Sequence, residues 1–287
     1  MHVPAADGVP LSVEIDGQGP VTVVLAHGWT LDATTWAPVA RSLAARVVRY
    51  DHRGHGRSAA VDPASMTIDQ LADDLAAVIA AVAPEGPLVL AGHSMGGMAI
   101  MALAERHPGV AARAQGIGLV ATAAGGLARH TLGLPPRVAA ALARGEHRVF
   151  ASARWAARPA LGHPRVLGPG LRWLLLGSHA DAEARRITVA AVAGCRPGTI
   201  SGFRPTLDGH ERDAALAAFA HTPTVVLAGT RDRLTPVPMA RRIAEALPAA
   251  QLTVFPGAGH MLPVERTAGV AARLATLVRG VAPASGH

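Results

Sequence analysis

The run Leu88-Val89-Leu90-Ala91-Gly92-His93-Ser94-Met95-Gly96-Gly97 reads as an apolar strand, a tight G-x-S-x-G turn and the start of a helix. A serine on so sharp a turn is held in strained backbone geometry, and only small residues fit two positions to either side. Gly92 and Gly96 meet that demand, and Gly97 lets the following helix pack closely. The bare pattern says little in a chain with 31 glycines, but between an apolar strand and an apolar helix it marks Ser94 as a candidate nucleophile. A serine hydroxyl needs a base to take its proton, and the base needs an acid to orient it. Fourteen histidines are available, so abundance selects none. His260 stands out because Phe255-Pro256-Gly257-Ala258-Gly259-His260 puts it in a glycine-rich loop after the last strand. Loops at the carboxyl ends of strands are where ligands gather in open α/β sheets. Asp232 is the one carboxylate in the loop after the preceding strand, Thr224–Ala228, and the loop after Ala121 has none. A surface ion pair with Arg231 or Arg233 is the competing reading of Asp232, and Asp208 and Asp213 are the fallback acids. A tetrahedral oxyanion needs two donors. The backbone N–H of Met95, at a helix N-terminus, is one candidate, and that of Trp29, in His27-Gly28-Trp29-Thr30, is the other. Trp29 also reads as a pocket wall.

These residues need strands that end together and helices that pack beside them. Short β-branched runs alternate with Ala/Leu-rich helical ones, the pattern of a mainly parallel α/β sheet. Leu11–Ile15 and Val21–Ala26 flank Asp16-Gly17-Gln18-Gly19-Pro20 and are expected to open the sheet as an antiparallel pair. Val47–Tyr50, Leu88–Ala91, Ile117–Ala121, Thr224–Ala228 and Leu252–Phe255 lack polar alternation, as strands covered on both faces do. Thr67–Ala83 predicts a helix, with Thr67 and Gln70 as a capping box and Asp69, Asp73 and Asp74 near its positive end. Gly96–His107 predicts a buried helix stopped by Pro108. Over 124–213 the strand rhythm gives way to helical sequence rich in Arg, Pro and Gly, an insertion between two parts of a core at 1–123 and 214–287. The residues from 281 to 287 read as a frayed tail.

Half of the 287 residues are hydrophobic and the net charge is +7, which excludes disorder as the main state. One cysteine, Cys195, excludes a disulfide scaffold and a cysteine-built metal or cluster site. Met1–Pro10 lacks the charge and apolar run of a signal peptide, and no apolar stretch reaches the roughly 18 residues of a membrane span, so a cytoplasmic protein is expected. All 27 basic residues are Arg, and neither Lys nor Asn occurs, which points to a GC-rich genome. With 3% aromatic residues and no recognition motif, the charge does not imply nucleic acid.

Together, HGW at 27–29, DHRGHGRS at 51–58, GHSMGG at 92–97, GTRDRLTP at 229–236 and GAGHMLPVE at 257–265 resemble the α/β-hydrolase fold, a mostly parallel sheet with helices on both faces. The chain order Ser94, Asp232, His260 is the order of that class. The resemblance implies a serine hydrolase of carboxylic esters with no metal or organic cofactor. It makes Asp51, Arg53 and His55 structural, and turns 124–213 into a helical cap over the pocket. Similar epoxide hydrolases and haloalkane dehalogenases use Asp as nucleophile, which argues against both activities. Thioesterases, lactonases, C–C bond hydrolases, acyltransferases and perhydrolases share the machinery, and hormone receptors share the scaffold. The insertion holds 13 Arg against six acids, so the whole formal excess lies there. With Phe150, Trp155 and Leu171 to Leu176 beside it, this implies a small-molecule substrate with a hydrophobic portion. Arg144 with Arg148, and Arg154 with Arg158, would share helix faces that attract an anionic substrate, an acyl carrier or a lipid surface.

Overall fold

The computed structural model describes residues 1–281 except 135, 151 and 159. The expected tail at 282–287 lies outside the described residues, and Val281 ends the last helix. Eight strands form one sheet: β1 (His2–Pro4), β2 (Pro10–Asp16), β3 (Thr22–Ala26), β4 (Arg46–Tyr50), β5 (Leu88–His93), β6 (Ala114–Val120), β7 (Thr224–Gly229) and β8 (Ala250–Phe255). Their order is β1-β2-β4-β3-β5-β6-β7-β8, antiparallel at the β1 end and parallel from β4 onward.

One expectation is overturned. β2 does not pair with β3, because β4 lies between them: Asp16 faces Val47 on one side and Thr22 faces Arg46 on the other. Every residue of β3 is buried, so both of its edges need partners, and β4 and β5 supply them. Alternation in a sequence reports which face a side chain takes. It does not report which strand stands beside it. The short β1 was not foreseen.

Successive residues of the central strands feed two cores. Val23 and Leu25 pack with Trp36, Leu274 and Leu277, and Val24 and Ala26 with Leu75, Ile79 and Leu103. The longer helices are α1 (Ile68–Val82), α2 (Met95–Arg106), α3 (Pro136–Phe150), α4 (Pro164–Leu175), α5 (Ala182–Gly194), α6 (Pro197–Asp208), α7 (Val237–Ala246) and α8 (Thr267–Val281). Thr67 caps α1 by accepting the Gln70 N–H, half of the expected capping box. Asp74 does not serve the helix dipole: it is buried in an ion pair with Arg53. Helices α3 to α6 come between β6 and β7, and no strand occurs there among the described residues. They meet the core through Leu175, Leu176, Ala184 and Ile187, packed with Leu31, Met261 and Val264.

Candidate active site

Ser94 links β5 to α2 with φ 52° and ψ −118°, a conformation that a non-glycine residue holds only under constraint. The constraint is visible in its surroundings. The Ser94 N–H donates to the Val120 carbonyl at 2.9 Å, and its own carbonyl accepts from the Thr122 hydroxyl at 2.7 Å. A Cβ on Gly92 would fall 2.3 Å from the Gly96 carbonyl carbon, and one on Gly96 would fall 2.3 Å from the Ala26 oxygen. Backbones that close leave room for glycine alone.

The loop after β3 comes up against the same turn. A Cβ on Gly28 would lie 3.2 Å from that of Ser94, so Trp29 follows directly beside the serine. Both line a cavity of about 370 Å³. The N–H groups of Met95 and Trp29 make no hydrogen bond among the described residues, which leaves both free for a ligand oxygen. The Trp29 side chain is also part of the cavity wall, so both readings of this residue hold.

Asp232 and His260 sit on the loops after β7 and β8. His260 Nδ1–H donates to Asp232 Oδ2 at 2.8 Å, and both residues are buried. Asp232 Oδ2 also accepts from the Thr235 hydroxyl at 2.8 Å, and Oδ1 accepts from the N–H groups of Leu234 and Thr235. Burial pushes the Asp232 carboxyl up, but the His260 charge and these hydrogen bonds outweigh it and hold the group below the usual carboxylate value. The competing ion pairs are not formed: Arg233 lies over the Trp173 ring, 4.5 Å from its centre, and Asp232 pairs with neither Arg231 nor Arg233. Of the fallback acids, Asp208 pairs with Arg204 and Asp213 with Arg242, and neither touches His260.

His260 and Ser94 are brought together through His93. The two histidine rings lie tilted against each other with centres 4.8 Å apart, and His93 Nε2–H donates to the His260 carbonyl at 2.9 Å. No hydrogen bond joins Ser94 to His260 in this structure. Burial drives the His93 ring down to about 3, so at neutral pH it is an uncharged strut.

Three contributors escaped the sequence reading: His93, Thr235 and Glu265. The Glu265 carboxylate accepts N–H groups from Gly259 and Met261, on either side of His260, and from Gly177 at 2.7 Å. It therefore ties the histidine loop to the segment between α4 and α5. The signal was its place in GAGHMLPVE, but its partner at Gly177 lies 88 positions away. Arg53 is fully buried between Asp74 and Asp7, Asp51 accepts the Ala33 and Arg57 N–H groups, and His55 donates to the Arg53 carbonyl. All three brace the loop after β4, as expected. Cys195 is no rival nucleophile, since burial pushes its thiol up to about 12. Among the described residues no cluster of His, Cys, Asp and Glu could hold a metal ion.

A hydroxyl on a strained turn at a mostly apolar cavity, with a histidine oriented by a buried carboxylate and two free N–H groups on the neighbouring loops, has the components of acyl transfer. Known proteins point the same way. The family described as serine aminopeptidase, S33, matches residues 19–267. The chain is 35% identical to the pimeloyl-[acyl-carrier protein] methyl ester esterase of Chromobacterium violaceum over 87% of this chain and 91% of that one. It is 29% identical to the monoacylglycerol lipase of Mycolicibacterium smegmatis over 83% and 80%. A thermophilic esterase from Thermogutta terrifontis superposes with a TM-score of 0.78 at 25% identity, over 99% of both chains. This chain belongs to the serine aminopeptidase S33 family of α/β-hydrolase enzymes.

Proposed function

We propose that the protein hydrolyses carboxylic esters of hydrophobic acyl compounds through Ser94, His260 and Asp232. Ser94 Oγ attacks the ester carbonyl while His260 Nε2 takes its proton, and the Met95 and Trp29 N–H groups hold the oxyanion. The imidazolium then gives that proton to the departing alcohol, leaving an acyl-enzyme. His260 next deprotonates a water that attacks the acyl carbonyl, and Ser94 leaves with the proton. Asp232 keeps Nδ1 protonated and faces the positive charge as it forms. The observation that carries this reading is the buried His260–Asp232 hydrogen bond beside a strained serine that opens into an apolar cavity. Catalytic hydrogen bonds are often long without substrate, so the unmade Ser94–His260 bond is compatible with it.

The division into a core at 1–123 and 214–287 and a cap at 124–213 is part of the proposal. It is supported by the cavity wall, to which the core gives Ser94, Trp29 and Met98 and the insertion gives Phe150, Leu174 and Leu207. An anionic substrate, an acyl carrier or a lipid surface at the cap is supported by exposed Arg144, Arg148, Arg154 and Arg158, which pair with no carboxylate among the described residues. The esterase from Chromobacterium violaceum, whose name includes a carrier protein, adds to that support. A serine-directed fluorophosphonate is expected to label the wild type and to miss Ser94→Ala, with ester turnover down by about 10⁴–10⁶-fold. Labelling that persists in Ser94→Ala removes the assignment.

A further inference from the structure

Most of the cavity wall beside Ser94 is apolar, with Trp29, Met98, Phe150, Leu174, Leu207 and Leu234 contributing. Among the described residues, its Asp, Glu and Arg side chains are three, and they are joined: Glu146 from α3, and Arg204 and Asp208 from α6. Arg204 Nε donates to Glu146 Oε1 at 2.6 Å, and its Nη1 donates to Asp208. The three side chains are 32%, 34% and 41% exposed, so they face the cavity while staying in touch with solvent. His130, also on the wall, is engaged elsewhere through Nε2, which donates to the Arg233 carbonyl.

One guanidinium against two carboxylates leaves a formal charge of −1. It also leaves spare acceptors, since Glu146 Oε2 and Asp208 Oδ2 accept nothing among the described residues. Charges beside an apolar wall are screened less than in bulk water. Arg204 Nη2 likewise donates to nothing among the described residues, but a ligand chain ending in a carboxylate that reaches it comes beside both Glu146 and Asp208 and meets net repulsion. A chain ending in a hydroxyl or ammonium finds free oxygens. Selection of this kind works as much by the unpaired charge it imposes on the wrong ligand as by the bond it offers the right one.

We infer that Glu146, Arg204 and Asp208 determine specificity, selecting esters whose hydrophobic acyl chain ends in a hydrogen-bond donor and rejecting a terminal carboxylate. This rests on the reading of Ser94 as the nucleophile at the same cavity. The rival role, an ion-pair strap holding α3 to α6, would leave substrate preference unmoved.

The test is a set of p-nitrophenyl esters of hexanoate, ω-hydroxyhexanoate, ω-aminohexanoate and adipate, with the octanoate series to allow for the span. The wild type is expected to show kcat/KM about tenfold or more higher for the hydroxy and amino esters than for the carboxylate ester of the same length. Glu146→Gln combined with Asp208→Asn leaves Arg204 as the only charge, and is expected to shift the carboxylate-to-amino ratio upward by about tenfold or more. Reading the ratio within each protein cancels any general loss of activity. Equal rates across the wild-type set, a preference for the carboxylate ester, or an unchanged ratio in a double variant that melts cooperatively overturns the inference. If the double variant does not fold, the wild-type series decides. Calorimetric binding of the matching N-methyl amides reads the same selection without turnover. Selective binding without ester turnover overturns the hydrolase reading alone, and turnover without selection overturns the specificity reading alone.

Discussion

Both oxygens of Asp232 are committed: Oδ1 to two backbone N–H groups, Oδ2 to the Thr235 hydroxyl and His260. Its carboxyl, held below the usual carboxylate value, is ionised at neutral pH and so can only accept. An asparagine there keeps the volume but presents an amide N–H where His260 must donate, and the ring is driven to the wrong tautomer. Asp232→Asn is therefore expected to keep the fold by circular dichroism and to lose about 10⁴-fold in kcat. Asp213→Asn, which breaks only an ion pair with Arg242, is the control. Near-normal turnover by Asp232→Asn would take the residue out of the machinery.

At the scale of elements, the proposed chemistry draws on the turn where β5 passes into α2 and on the loops after β7 and β8. The basic charge belongs elsewhere, on α3 and the short helix Ala153–Ala156. Arg144 and Arg148 share α3, whereas Arg158 lies beyond the end of the short helix, so it does not share a helical face with Arg154. Exposed charge of this kind acts on encounter and fades over a Debye length of about 8 Å at physiological salt. An ester carrying a negative charge on its leaving alcohol is expected to lose kcat/KM severalfold as salt rises, while a neutral ester of matched size barely responds. Replacing Arg144, Arg148, Arg154 and Arg158 with Gln should flatten that dependence and leave Ser94 labelling intact. Equal salt responses would leave the basic helices without a part in substrate encounter.

The molecule as a whole carries an acid liability. His27, His52 and His55 cluster with ring centres 4.4 to 6.2 Å apart beneath the site, and His93 is buried nearby. Burial drives His52 and His93 to about 3, His55 to about 4 and His27 well below the usual value. In the unfolded chain each takes its proton near pH 6.5, so between there and the folded values the unfolded state binds more protons. Stability is full above about pH 6.5 and falls as pH drops, by up to about 1.4 kcal/mol per histidine per unit. Asp51, Asp74 and Glu265, raised by burial, oppose this, since each binds its proton more tightly in the folded chain than in the unfolded one. The urea midpoint is expected to fall steeply from pH 7 to pH 5, and less steeply in His55→Gln. A midpoint flat over that range contradicts this account.

What the sequence determined by itself was local or set by chain order. The crowding that admits only glycine two positions from Ser94 follows from a turn of five residues, and strand ends bring Asp232 and His260 onto adjacent loops. Burial was equally legible, because an apolar run without alternation reads the same wherever its neighbours come from. Strand adjacency was not: nothing in Leu11–Ile15 or Val21–Ala26 announces that β4 will lie between them. The convergence of Glu146 with Arg204 and Asp208, the reach of Glu265 to Gly177, the clustering of His27 with His52 and His55 and the contact of His93 with His260 join segments far apart in the chain. Such contacts are decided only when the core packs, since each side chain alone also fits a solvated surface.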